Sequence, residues 1–413
     1  MKIILDKNRI VKYLIILPLL KPGLFSEPYF SKVNTFYSIA RVLVLVFLSY
    51  KAFVARKQIV LSKLAVIVIF YHLYELMVTI FVNPQGMAVW VGPASSIITV
   101  VLMFDYYRSD INELIECLAN VFWMYFLLNE LSVIVCIVAS GSVSEGMAFF
   151  FPYVGNNRFF LGMDNRFLNY FFPGIMTNYI YEKRYKRTRF FRVKMIAIVG
   201  TATLTALNAI GGMTGMIALC IVLLFCSADS IIRFDVGALI WITIFISITM
   251  IVIGIINPIP MQNAIERFMS KGNNYMDRAL MWKHIFISVS SKYPLSGIGV
   301  QSIKDMRRLM RFNMRYNHAH NLIMTLFMQG GIIGTILWWI SIFVGTHELR
   351  LNNKNKLAMI IASCIVIELI TNIMDSTNDA FFFVMVSIAY SIHVFLDATD
   401  KAEETSMITA NNL

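Results

Sequence analysis

Residues 233–257 read RFDVGALIWITIFISITMIVIGIIN, and from Val236 to Ile256 no side chain is charged. A run of roughly 20 apolar residues is what a helix needs to cross the hydrocarbon of a bilayer. In lipid the backbone must satisfy its own N–H and C=O groups, so the run is helical. Directly after it, residues 258–317 hold ten Lys and Arg against only Glu266, Asp277 and Asp305. A bare apolar span followed by a long basic loop sets the plan of the chain.

Working outward, eleven further segments read as spans: 9–22, 34–54, 60–82, 88–107, 117–140, 165–182, 191–209, 211–228, 319–346, 355–374 and 378–396. With 58% hydrophobic and 15% charged residues in 413, and a mean hydropathy of +0.68, no soluble core could enclose the apolar surface. The expected fold is all-α: a polytopic membrane protein of about twelve transmembrane helices, following the length rule for spans. It is one membrane domain, 1–413, with 258–317 as a large extracytoplasmic loop carrying amphipathic helices between the ninth and tenth spans. No internal repeat or soluble domain interrupts it.

Cytoplasmic loops retain Lys and Arg, which sets orientation. With both termini cytoplasmic, that side holds 21 of the 36 Lys and Arg, the outside holds 14, and Arg41 lies within a span. Ten of the 14 sit in 258–317, a segment long enough to cross regardless of charge. The start, MKIILDKNRIVKYLIILPLL, has a basic end and an apolar stretch but no small-residue cleavage site, so it reads as an uncleaved first span. The five cysteines fall in or beside apolar runs without metal or disulfide spacing and read as packing residues.

The loop's net positive charge calls for an anionic partner. Within it, IKDMRRLMRFNMRY predicts an amphipathic helix with Lys304, Arg308, Arg311 and Arg315 on one face and Ile303, Met306, Met310 and Met314 beside them. Two readings stay open on charge alone: anchoring to anionic lipid, or forked guanidinium bonds to a diphosphate. Next comes NHAHNLIMTLFMQGGIIG, which sets His318, His320 and Asn321 where the chain re-enters the membrane. Imidazole takes a proton near neutral pH, although an interfacial His often merely bonds backbone or water. Gly330, Gly331 and Gly334 read as close helix packing.

The stretch from Asp277 to Trp339 resembles the C-terminal core of the O-antigen polymerase and O-antigen ligase family. The residues that carry the resemblance are Arg278 with Trp282, then Pro294-Leu295-Ser296-Gly297-Ile298-Gly299, then His320-Asn321-Leu322 with the glycines that follow. GNNRFFLGMDNRFLNYFFPG is similar to an outer Asn- and Pro-containing segment of that family and brings in Arg158, Arg166 and Asn169. NAIGGMTGMIAL departs from it, since Gly212-Met213 stands where many members carry Ser-Arg.

The resemblance implies a metal-independent glycosyltransferase, without cofactor, acting at the outer face of a bacterial inner membrane. Its substrate would be oligosaccharide linked to undecaprenyl diphosphate, joined into a surface polysaccharide such as O-antigen or capsule. Transfer to lipid A core, as by a ligase, is the alternative. The implied catalytic residues are His320 as base, Arg278 on the diphosphate and His318 as the second candidate base. Substrate-binding candidates are Arg158, Arg166, Asn169, Trp282, Lys304, Arg308, Arg311, Arg315 and Asn321. Expected partners are membrane lipid, the lipid-linked oligosaccharide, and flippase and chain-length regulator proteins, with no nucleic acid.

A transporter is the rival reading, since Arg41, His72, Glu75, Glu130 and Glu368 lie inside spans at a cost of a few kcal/mol each unless paired or wet. That reading expects paired helix interruptions. Only Gly92-Pro93 is evident, and an Arg41–Glu75 structural ion pair is the blander account.

Overall fold

The computed structural model describes residues 7–396 apart from 55–59, 143, 152, 186–188, 228–234, 269–274, 310–317 and 377, and leaves out the side chains of Lys7 and 265–268. It is helical almost throughout. In chain order the helices are α1 (Lys7–Leu19), α2 (Ser31–Phe53), α3 (Lys63–Val82), α4 (Met87–Tyr106), α5 (Ile111–Ser140), α6 (Leu168–Arg184), α7 (Phe191–Ala206) and α8 (Ile210–Ser227). They continue with α9 (Val236–Ile256), α10 (Ile259–Phe268), α11 (Tyr275–Ser290), α12 (Ile303–Leu309), α13 (Leu322–Leu351), α14 (Lys356–Thr371) and α15 (Ala380–Tyr390).

Each predicted span therefore contains a helix, and α10 to α12 are the helices of the long loop. The helical stretches Pro28–Phe53, Lys63–Val82, Pro84–Tyr106, Arg108–Ser140, Val236–Ile256 and Leu322–Leu351 are long and apolar enough to cross a bilayer. The chain is an all-α polytopic membrane protein.

Two apolar cores hold the described helices together. The larger joins α3 to α6, α14 and α15, with Phe122, Phe171, Phe172, Phe382 and Phe383 wholly enclosed. The smaller lies under the long loop, where Trp282 and Tyr275 of α11 pack with Ile251 of α9, Met306 of α12 and Met324 and Met328 of α13. An aromatic of this size contributes on the order of 2–3 kcal/mol when fully buried. Met306, on the apolar face expected of this amphipathic helix, thus turns into the protein core.

A break in α13 connects the cores. Gly331 has φ +61° and ψ −158°, outside the helical region, and a Cβ there would lie 2.4 Å from the carbonyl of Leu295. Segment 294–299 fills the gap: Ile298 and Gly299 N–H donate to Met328 and Gln329 O, while Ile332 and Ile333 N–H donate to Pro294 and Leu295 O. Tyr74 O–H of α3 donates to Leu295 and Gly330 O. The 294–299 segment therefore supplies the bonds that the kinked helix loses. Gly331 is a backbone requirement as well as a packing residue. This second interruption was hidden in the sequence, and it is closed by protein.

A two-stranded antiparallel hairpin, β1 (Arg158–Phe159) and β2 (Gly162–Met163), is pinned to the side of α5. Phe160 N–H donates to Ser132 Oγ and Leu161 N–H to Asn129 Oδ1. Leu24 N–H, just past α1, donates to Phe160 O. These bonds fix Arg158 and Arg166 relative to the start of α2.

The expected Arg41–Glu75 pair does not form. Glu75 accepts from Tyr71 O–H and faces His72 Nδ1, both at 3.3 Å, whereas Arg41 Nη1 donates to Gly92 O of α4 at 3.2 Å. The two side chains lie on different faces of the helix group, which spacing along the sequence could not reveal.

Candidate active site

A polar cavity of about 1020 Å³ is walled by residues from widely separated parts of the chain. His318, His320, Asp375 and Asp379 line it together with Asn169, Arg166 and Arg158. Lys21, Asn34, Ser38 and Arg41 also line it.

The histidines are carried by a short loop that is held rigidly. Trp282 Nε1–H donates to Ala319 O at 2.9 Å, and Trp282 is wholly buried. Asn321 accepts from Met324 N–H as the N-cap of α13 and donates to Ser247 Oγ and Ile373 O. His320 between them sits at φ +47°. A left-handed histidine costs on the order of 1–3 kcal/mol and persists only where its surroundings enforce it. Trp282 and Asn321 do so, and since both are fully enclosed they position the histidines instead of touching a substrate. This revises the substrate-binding role expected for the two residues.

The imidazole rings of His318 and His320 lie 3.8 Å apart, centroid to centroid. His318 Nε2 is 3.4 Å from Asp375 Oδ1, and Ser376 N–H donates to the same oxygen at 2.8 Å. Arg278 Nη1 donates to Met374 O at 2.8 Å, beside that carboxylate. Burial holds His320 well below the ordinary histidine range, and the adjacent His318 and Arg278 push the same way. Burial works against the Asp375 carboxylate, yet the hydrogen bonds from His318 and Ser376 hold it below the usual range. The site thus contains a carboxylate kept ionised, a histidine bonded to it and a second histidine kept neutral.

Around this group, Arg166 acts electrostatically on both His320 and Asp375. Asn169 Nδ2 donates to Asp379 Oδ2 at 2.8 Å, and Asp379 caps α15 through Phe381 and Phe382 N–H. Arg158 Nε donates to Glu27 at 2.7 Å, so its charge is largely matched. One ligand atom each from His318, His320 and Asp375 lies within 4.8 Å of the others, a set of types that suits a divalent ion. The positive charge of Arg166 and Arg278 opposes such an ion.

Lys304 and Arg308 are exposed on α12 and do not line the cavity. Arg311 and Arg315 lie outside the described residues. Sequence reasoning missed Asp375, Lys21 and Arg41 as cavity residues. The only signal was an ionisable residue in or near a span, which by itself is a functional hint.

Residues 195–339 match the family model described as O-antigen ligase. This match, over about a third of the chain, supports the O-antigen polymerase and ligase family, whose members are glycosyltransferase-like membrane enzymes. No curated protein matches the chain. The matched region contains Arg278, Trp282, both histidines and the Gly331 break, while Arg158, Arg166, Asp375, Lys21 and Arg41 come from outside it.

Proposed function

We propose that this protein joins undecaprenyl-diphosphate-linked oligosaccharide repeat units into a surface polysaccharide at the outer face of a bacterial inner membrane. The observation that carries this reading is the His318–Asp375 contact at the cavity, with His320 and Arg166 on the same wall and Arg278 bound to Met374 O beside that carboxylate. Glycosyl transfer from a prenyl diphosphate needs two things of the protein. Developing negative charge on the leaving diphosphate must be neutralised, and the acceptor hydroxyl must lose a proton.

Arg166 and Arg278 serve the first need, with Arg278 fixed by Met374 O. For the second, the geometry favours His318 over His320. His318 has a carboxylate to hold its tautomer and stabilise the imidazolium that forms, whereas His320, pushed down by burial and like charges, is a weak proton acceptor. The acceptor oxygen attacks the anomeric carbon as the bond to diphosphate breaks, its proton passing to His318 and the electron pair leaving on the diphosphate. No metal is required in this scheme.

The reaction is tested by reconstituting the full chain with purified lipid-linked repeat units. Longer chains formed without an ion gradient support it, and solute flux without bond formation refutes it. Ligase activity is the second reading, because the family model that matches is that of the ligase. The glycan of a deletion strain separates the two: single repeats still attached to their acceptor mean polymerase, and accumulated lipid-linked polymer means ligase.

A further inference from the structure

Another stretch of the same cavity wall is formed by the end of α1, one face of α2 and the Gly92-Pro93 step of α4. Asn34, Ser38 and Arg41 fall at spacings 4 and 3 on one face of α2 and line the cavity. Phe36, Ile39, Leu43, Val46 and Tyr50, on the opposite face, are exposed, as expected of side chains that meet lipid. Only Leu48 of this helix is buried. The cavity is therefore separated from the bilayer here by the thickness of a single helix.

Among the described residues, the cations of this wall have no carboxylate partner. Lys21 Nζ donates to Asn34 Oδ1 at 2.6 Å, and Arg41 Nη1 donates to Gly92 O. Arg41 Nε is buried without a hydrogen-bond partner among the described residues. Burial, and then the charge of Arg41, press the Lys21 ammonium down to about 8. Among the described residues no carboxylate pairs with either cation, and the nearby Glu27 is engaged by Arg158. Two like charges brought together away from bulk water oppose each other, and the arrangement is favourable only with an anion between them. An ammonium beside a guanidinium, with hydroxyl and amide neighbours, suits the oxygens of a diphosphate.

We propose that Lys21 and Arg41 form a second prenyl-diphosphate subsite, which holds the headgroup of the acceptor while Arg166 and Arg278 hold that of the donor. The inference rests on the transferase reading above and deepens it: both substrates are lipid-linked, which is the requirement of a polymerase. The acceptor's prenyl chain lies against α2, where the wall is one helix thick.

The test is native mass spectrometry of the full chain with glycan-free undecaprenyl diphosphate as the probe, in the presence of excess phosphatidylglycerol. Two bound prenyl diphosphates per chain are expected for the wild type. The Lys21→Gln/Arg41→Gln pair should retain one, with the second affinity weakened about tenfold or more, as for loss of charge-assisted bonds. Lys21→Gln alone, in the loop after α1, gives the same reading where the double variant fails to insert. One bound lipid in the wild type, displacement of one by phosphatidylglycerol, or two retained in the variants each overturns the second subsite. No binding at all in the wild type overturns the transferase reading as well, so the two failures are distinct.

Discussion

The two walls of the cavity are built on opposite principles. Around His318 and His320 the positioning groups are tied down: Trp282 to Ala319, Asn321 to Ser247 and Ile373, Arg278 Nη1 to Met374, and Asp375 to His318. Around Lys21 and Arg41 the packing is thin and the cations face no carboxylate among the described residues. The first wall is preorganised in the manner of a catalytic constellation, with the reorganisation cost met during folding. The second stays incomplete until an anion arrives. A rigid half and an adaptable half suit an enzyme whose chemistry is constant and whose substrates enter from the bilayer.

The sharpest way to break this contrast is to remove the base. His318→Ala should lower elongation by about 10²-fold or more, read as loss of the chain-length ladder in a strain carrying inserted protein. His320→Ala should cost less, and the reverse order would return the role of base to His320. Next in size is Arg278→Lys, because an ammonium cannot bond Met374 O and a phosphate with the guanidinium fork. We expect about tenfold slower turnover, checked with purified lipid-linked substrate.

Trp282→Phe probes rigidity alone. It leaves Ala319 O buried without its donor, a loss of about 1–3 kcal/mol, visible as a lower midpoint of thermal unfolding in detergent. Turnover should fall while the KM for lipid-linked donor stays, since the residue touches no substrate.

Acid sensitivity sharpens the same comparison. The folded His320 is depressed below its ordinary value of 6.5, so its contribution to stability is fully present above that value. It is lost as pH falls below 6.5, where the unfolded chain binds a proton that the folded site refuses. Asp375, also depressed, contributes above the ordinary carboxylate value of 3.8 and is lost as pH falls through its lower folded value. Unfolding followed from pH 8 to pH 5 should show a decline that His320→Asn flattens, and an unchanged slope in that variant would count against a buried neutral imidazole. The smallest effect belongs to Lys304→Gln and Arg308→Gln. Exposed cations outside the cavity should change turnover less than about twofold and only at low salt.

Much of this site was legible in the residues. His318, His320 and Arg278 stand out because polar chemistry beside membrane spans is sparse; both histidines line the cavity, while Arg278 is held behind it on Met374 O. Arg158, Arg166 and Asn169 also reach the cavity, through a hairpin whose anchoring by Ser132 and Asn129 no local pattern announces. Trp282 and Asn321 carry recognisable motif positions, yet their work is to hold a strained loop, a role visible only from their partners. Arg41 read as a partner for Glu75 because two opposite charges inside spans invite pairing, and the helix faces decide otherwise.

The sequence by itself determined that the chain is a helical membrane protein and where its helices run, because the absence of water from hydrocarbon leaves the backbone no other choice. It also determined which residue types were available for chemistry outside the bilayer. The tertiary structure alone decided which of them meet. Asp375 lies 57 residues from His318 along the chain, and Lys21, in the loop after α1, and Arg41, on α2, come from far outside the matched region. Helix periodicity specifies a face, while only the packing of one helix on another specifies what that face looks at.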